Sequence, residues 1–240
     1  WFYEMFMQYK EDKSGKYYAK TGTSYENPYI SHERLRENEK RMGYQWVLQN
    51  IMGGFAGQTS FFDRAAIQKC YEGKDWHIPE MPKEAKAESG YVYYGGIDLG
   101  RKVDSTIITV GRWKGTSASS KGELAYAQEL GAGTTWDTIF DTISEVGKTY
   151  HCLFLVDATA LAGDIIVSEL KKRGVDVSAF IFTAESKRQL LTVAQQYIQQ
   201  QAVTWPYIPP LYDQLCAYEL EDKNLTTDWV MSYALLCEIH

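Results

Sequence analysis

The chain has 240 residues, 45% of them hydrophobic and 23% charged, and its formal net charge is −6. Such a length and composition suit one large globular domain, or one domain plus a piece of another. They exclude a uniformly basic nucleic-acid coat. No apolar run approaches the roughly 18 residues that a membrane-crossing helix needs.

The chain begins at Trp1 with no basic–apolar–small signal pattern, and is expected to be a portion of a longer protein. Cys70, Cys152, Cys216 and Cys237 are far apart and form no CxxC pair. That spacing argues against a zinc or disulfide framework and for buried thiols in a reducing, intracellular setting. The negative charge is unevenly placed. Residues 1–88 carry 13 basic and 13 acidic side chains, whereas residues 89–240 carry 12 and 18.

Residues 1–30 are expected to form a β-hairpin, with WFYEMFMQYK and KYYAKTGTSY flanking the turn EDKSG. Pro28 ends the extended run, and Ser31 is placed to cap a polar helix reaching Gly43. QWVLQNIMGGFA reads as a short amphipathic helix closed by Gly53 and Gly54. Residues 63–90 hold a short helix, DRAAIQKCYEG, then a polar stretch with two prolines. They are expected to be a linker, with His77 a surface residue within it.

From residue 91 the pattern becomes α/β. Strands are predicted over 91–99, 105–113 and 124–130, as an antiparallel meander. A helix capped by Thr135 or Asp137 runs to Lys148. The apolar run His151–Val156 reads as a buried central strand. Asp164 caps a helix over 165–173, stopped by Gly174. A strand over 177–182, a long helix over 186–201, a short strand over 203–205 and helices over 212–221 and 228–240 complete the chain. The order β-β-β-α-β-α-β-α is that of the ribonuclease H-like fold. The fold class is therefore α/β: a mixed sheet flanked by helices, preceded by a small α+β segment.

In this order the first and fourth strands are neighbours. Asp98 lies near the end of the first and Asp157 at the end of the fourth, so they meet despite the 59 positions between them. Asp228 opens the last helix, where Thr226 or Thr227 can cap and the helix N-terminus favours a carboxylate. Carboxylates held together repel unless a cation compensates, and hard Mg²⁺ or Mn²⁺ prefers carboxylate oxygen. Three such groups can hold two ions for phosphodiester cleavage. Each aspartate also has a structural role open to it: Asp98 as a turn residue, Asp157 as a loop cap, Asp228 as an ordinary helix cap. Asp104 can join the metal shell or cap the turn into the second strand.

At these residues the chain resembles the C-terminal nuclease part of viral terminase large subunits, the DNA-packaging motors of tailed phages and related archaeal viruses. GGIDLGRKVDSTIITV, LFLVDATALAGDIIVSEL and TTDWVMSYALL match the family's three acidic motifs. The resemblance thus implies catalytic and metal roles for Asp98, Asp157 and Asp228. FTAESKRQLL matches a recurrent segment with a lysine, here Lys187. Upstream, ENPYISHERL and QWVLQNIMGGFA resemble the end of the family's ATPase domain. That implies an ATPase remnant over 1–62, a linker over 63–90 and a nuclease domain over 91–240.

The implied activity is two-metal, Mg²⁺- or Mn²⁺-dependent endonucleolytic cleavage of concatemeric viral double-stranded DNA during genome packaging. The implied partners are DNA, the terminase small subunit and the portal protein, in the host cell cytoplasm. Arg101, Lys102, Lys187 and Arg188 are the candidate contacts to the DNA backbone, with solvated surface charge as their plainer role. Lys171, Lys172 and Arg173 end a helix and are read as structural. Two departures stand out. No GxxxxGK[ST] loop occurs, so ATPase activity is not expected from this chain alone. Thr226 and Thr227 stand where the family often has a histidine or second acid.

Two other functions share some of these features. GIDLG also resembles the first phosphate motif of the actin, sugar-kinase and Hsp70 superfamily. That superfamily needs a second glycine-bearing loop, where this chain has Ala158 and Thr159. A non-catalytic DNA-binding or assembly module would use the acids structurally, and divalent-metal binding separates it from the nuclease.

Overall fold

The computed structural model describes residues 2–10, 12–41, 47, 49–54, 61–71, 87–100, 104–115, 120–159, 163–219 and 226–240. They fall into two compact units, Trp1–Thr59 and Ser60–His240.

In the first unit the expected hairpin is replaced by a helix, α1 (Phe2–Lys10). The apolar residues Phe2, Met5, Phe6 and Tyr9 recur at the 3.6-residue period, which outweighs the strand preference of the aromatics. Tyr17, expected in the second strand, stacks on Tyr9 with ring centroids 4.6 Å apart. A 3₁₀ turn over Ser24–Glu26 precedes α2 (His32–Arg41). No strand occurs among the described residues of this unit.

The second unit is built on one six-stranded mixed sheet. Its strands are β1 (Tyr91–Asp98), β2 (Thr106–Lys114), β3 (Gly122–Leu130), β4 (Leu153–Asp157), β5 (Asp176–Phe180) and β6 (Val203–Thr204). Their order across the sheet is β5-β4-β1-β2-β3-β6. β1, β2 and β3 form the antiparallel meander, β4 runs parallel to β1, and β5 runs parallel to β4. β1 and β2 are the two central strands and β4 lies inside the edge strand β5, beside β1. Phe154, Leu155 and Val156 of β4 are all buried, as the apolar run implies for a strand covered on both faces.

Helices cover both faces. On one side α4 (Trp136–Tyr150) and α5 (Gly163–Lys172) pack over Ile97, Ile108, Val110, Phe154, Val156 and Val177. On the other lie α3 (Arg64–Tyr71), α6 (Ala184–Gln200), α7 (Pro209–Ala217) and α8 (Asp228–Ile239), over Ile107, Trp113, Leu124 and Leu155. The alternation of Phe154, Leu155 and Val156 between the two cores is the period-2 geometry of a strand. α3 belongs to this second core. Its Ala66, Ile67 and Cys70 are buried, and the Gln195 side chain of α6 donates to the Phe61 carbonyl at 2.5 Å. Segment 61–71, assigned from sequence to the end of the remnant and the linker, thus contributes to the core beneath the sheet; residues 72–86 lie outside the described residues.

Helix ends follow local chemistry. Thr135 caps α4, accepting from Thr138 N–H, and Thr183 caps α6, accepting from Ser186 N–H. α7 starts at Pro209, earlier than expected, because proline suits the first helical position. Arg173 bonds Glu169, Asp141 and Asp137, and Lys172 pairs with Glu169, so these two cations are engaged in structural ion pairs. All four cysteines are buried and free.

α8 sits centrally. Every residue from Trp229 to Cys237 is buried, the mark of a helix enclosed on all sides. It lies directly on β1 because Gly96 has no side chain. A Cβ there would overlap the Ser232 carbonyl oxygen and the Leu236 N–H. On the opposite face, a Cβ on Gly95 would enter the Phe154 ring. The Gly95–Gly96 pair therefore lets a helix and an aromatic ring approach one strand from both sides.

Candidate active site and metal centre

The register of the sheet builds the acidic site. Ile97 pairs with Val156, so Asp98 and Asp157 are the next residues of two parallel strands and emerge at the same edge. Both alternate away from the α4–α5 core and onto the face that carries α8. Asp98 pairs across with Ile107, and Ile107 with Glu129. Asp157, Asp98, Ile107 and Glu129 thus form one lateral row, three of its four members acidic. Asp228 enters from above as the first residue of α8.

Asp98 is the common neighbour. Its carboxyl is held well above the usual carboxylate range, first by burial, then by repulsion from Asp228, Asp157 and Asp104 in that order. Lys187, in the first turn of α6, opposes the rise. Asp228 is also raised, by burial and by the charges of Asp104 and Glu129, while its own N–H and that of Ser105 work the other way. Repulsion of this kind is what a divalent cation removes.

Two of these acids are held by neighbours. Asp157 Oδ1 accepts from Thr159 N–H at 2.9 Å and from the Thr159 hydroxyl at 2.5 Å. The same hydroxyl accepts from Phe182 N–H at 2.8 Å, tying the end of β4 to the segment leading into α6 and Lys187. For α8, Thr227 stands at the cap position but its side chain makes no capping bond. The expected threonine cap is replaced by one from another helix: Gln214 of α7 accepts from Trp229 N–H at 2.9 Å. Trp229 in turn donates its indole N–H to Glu129 at 3.1 Å.

The remaining sequence-predicted residues fall as follows. Asp104 is exposed; its charge acts on both Asp98 and Asp228. Gly100 lies against the Asp104 and Ser105 backbone, which a Cβ there would overlap, and its N–H donates to Thr106 Oγ1 at 3.0 Å. Lys187 is half-buried, and its charge opposes the rise of the Asp98 carboxyl. Arg188 is exposed and pairs with Glu185 at 3.3 Å. Arg101 and Lys102 lie outside the described residues. Thr159, Gln214 and Glu129 were not singled out from sequence. The Asp-x-Thr spacing of 157–159 is a readable local turn signal. The other two act across 15 and 100 positions, which no local pattern encodes.

Among the described residues, no three His, Cys, Asp or Glu side chains are grouped as ligands to one metal ion. In donor chemistry the set still fits a hard divalent cation. It is all carboxylate oxygen, its central member carries uncompensated repulsion, and Asp157 keeps one oxygen outside the Thr159 bonds.

A mixed sheet of this order with acids at the ends of β1 and β4 and at the start of the last helix is ribonuclease H-like. Among solved structures the chain is similar to the large terminase nuclease from thermophilic phage G20c with bound magnesium, with a TM-score of 0.59 and 18% identity over 76% of this chain and 98% of that one. It is similar to the Thermus phage P74-26 large terminase nuclease domain, at 0.53 and 16% over 72% and 92%. It is also similar to the HK97 bacteriophage large terminase, at 0.55 and 13% over 89% and 52%. The G20c nuclease has further been solved with bound zinc and with bound cobalt. No family model and no curated protein matches the chain. The fold is that of large-terminase nuclease domains.

Proposed function

We propose that this chain is the nuclease part of a viral terminase large subunit: a divalent-metal-dependent endonuclease that cuts concatemeric double-stranded DNA during genome packaging. The observation that carries this reading is the convergence on Asp98 of Asp157, Asp228 and Asp104 at one edge of a ribonuclease H-like sheet. The unit Trp1–Thr59 would be the end of the packaging ATPase domain, and segment 61–71, which packs into the core beneath the sheet, belongs with the nuclease. The small subunit, the portal and a host-cytoplasmic setting belong to the same proposal.

Asp98, Asp157 and Asp228 would hold Mg²⁺ or Mn²⁺, with Asp104 at the margin. Bound there, two ions supply activation of a water and stabilisation of the leaving oxygen. The chain's own residues do the rest. Thr159 holds one oxygen of Asp157 fixed and leaves the other for a ligand. Gln214 holds the start of α8 through the Trp229 N–H, and the Ser105 N–H favours the charged Asp228 carboxylate. Lys187 brings positive charge to the acidic edge, where a scissile phosphate would lie. Arg101, Lys102 and Arg188 would meet the flanking phosphates.

The test is cleavage of plasmid DNA with and without Mg²⁺ or Mn²⁺, for the chain and for variants of each aspartate. Metal-dependent cutting that Asp98→Ala abolishes supports the proposal. Metal-dependent cutting that survives every aspartate substitution rejects it.

A further inference from the structure

Outside the three motif aspartates, one chain of contacts reaches the site from β3, along the same face of the sheet. Glu129 is the fourth member of the lateral row, two strands from Asp98 through Ile107. Its Oε2 accepts from the Trp229 indole N–H at 3.1 Å, and the Trp229 backbone N–H is held by Gln214 Oε1 at 2.9 Å. Trp229 is the residue immediately after Asp228, and its ring is buried in the core between α8 and the sheet. Thr227, at the helix cap, makes no side-chain capping bond. The first turn of α8 therefore has its lateral position fixed by Glu129 and its axial end fixed by Gln214.

We infer that Glu129 is a positioning residue for the metal centre: through the Trp229 indole it sets where Asp228 stands over Asp98. The inference rests on the nuclease reading above and deepens it. Glu129 acts here as a hydrogen-bond acceptor. Its charge also reaches Asp228 and pushes that carboxyl up. A glutamine keeps the acceptor and loses the charge, whereas an alanine loses both. Trp229→Phe keeps an aromatic ring, though a smaller one, and removes the indole N–H, giving an independent way to break the same bond.

The test is Mn²⁺ binding to the whole 240-residue chain, measured by titration calorimetry without DNA, for wild type, Glu129→Gln, Glu129→Ala, Trp229→Phe and the Glu129→Ala/Trp229→Phe double variant. Near-UV circular dichroism follows the Trp229 environment in wild type and the two Glu129 variants, and far-UV circular dichroism checks that all five proteins fold. Glu129→Ala and Trp229→Phe are each expected to weaken Mn²⁺ binding about tenfold, the scale for losing an outer-shell partner. The double variant is expected to be no weaker than either, because one bond is removed in all three. Glu129→Gln should bind within about threefold of wild type, since the acceptor remains. Wild-type affinity in Glu129→Ala overturns the positioning role. A Glu129→Gln variant as weak as Glu129→Ala also overturns it, and makes the charge itself the contribution. A flat titration for the wild-type chain removes the metal centre, and with it both this inference and the nuclease reading.

Discussion

Gly96 of β1 and Ser232 of α8 meet backbone to backbone: the Ser232 hydroxyl donates to the Gly96 carbonyl at 2.9 Å, and no side chain fits between them. This pairing aligns the helix with the strand. Two residues further along β1, on the same face, is Asp98; one helical turn before Ser232 is Asp228. Running the other way, Tyr94 faces His240, with ring centroids 5.5 Å apart. The convergence of two acids 130 positions apart thus follows from one glycine contact. Thr109 seals it, donating to the Ser232 carbonyl at 3.1 Å from a fully buried position.

Gly96→Ala is therefore expected to cost about 3 kcal/mol of stability, the upper part of the range for overpacking a tight core. The added methyl meets backbone, which cannot rotate away. Urea unfolding followed by tryptophan fluorescence measures this. A loss under about 0.5 kcal/mol would mean that α8 is not seated on β1 as described.

Asp98 gives the metal-free protein a pH dependence with a definite sign. Its folded carboxyl is raised, so between about pH 4 and that raised value the folded state binds more protons than the unfolded state. Stability contributed by protonated Asp98 is present at low pH and lost as pH rises. Asp228 acts in the same direction. In the presence of a chelator, Asp98→Asn should thus melt higher than wild type at pH 8 and converge with it near pH 4. Adding Mn²⁺ at pH 8 should raise the melting temperature of wild type more than that of Asp98→Asn. Thermal melts across pH test both statements.

Thr159→Val should lower the turnover of DNA cleavage about tenfold while leaving DNA affinity within about twofold. It removes the hydroxyl that donates to Asp157 and accepts from Phe182 N–H. Thr159→Ser restores both bonds and should restore most of the rate. Single-turnover cleavage alongside a DNA-binding titration separates the two quantities.

The two neighbouring cations of α6 should behave differently. Lys187 acts on Asp98, whereas Arg188 is exposed and engaged with Glu185. Lys187→Gln is expected to reduce cleavage at least about tenfold, and Arg188→Gln no more than about threefold, the smaller effect reflecting a solvent-screened charge. Cleavage rates of the two variants, measured at one salt concentration, check the contrast.

Much of the second unit was legible in the residues. Periodicity, turn glycines and the apolar run LFLV place all six strands in order, and strand order alone brings Asp98 beside Asp157. Asp228 could be placed because a helix start is marked by its composition. What holds these acids was less legible. Thr159 sits in a local turn that the sequence encodes, but Glu129 and Gln214 reach Trp229 only after the sheet and α7 have formed. The first ten residues were misread for another reason. Aromatics favour strands, yet Met5, Phe6 and Tyr9 share one helical face, and period outweighed propensity.

The most direct measurement is nicking and linearisation of supercoiled plasmid by the purified chain in Mg²⁺, Mn²⁺ and chelator, beside Asp98→Asn, Asp157→Asn and Asp228→Asn variants whose folding is checked by circular dichroism. Cleavage that requires the metal and falls at least about a hundredfold in each folded variant is the predicted result. Metal-dependent cleavage that persists at wild-type rate in any two of the three would contradict a catalytic centre built on Asp98 and its acidic neighbours.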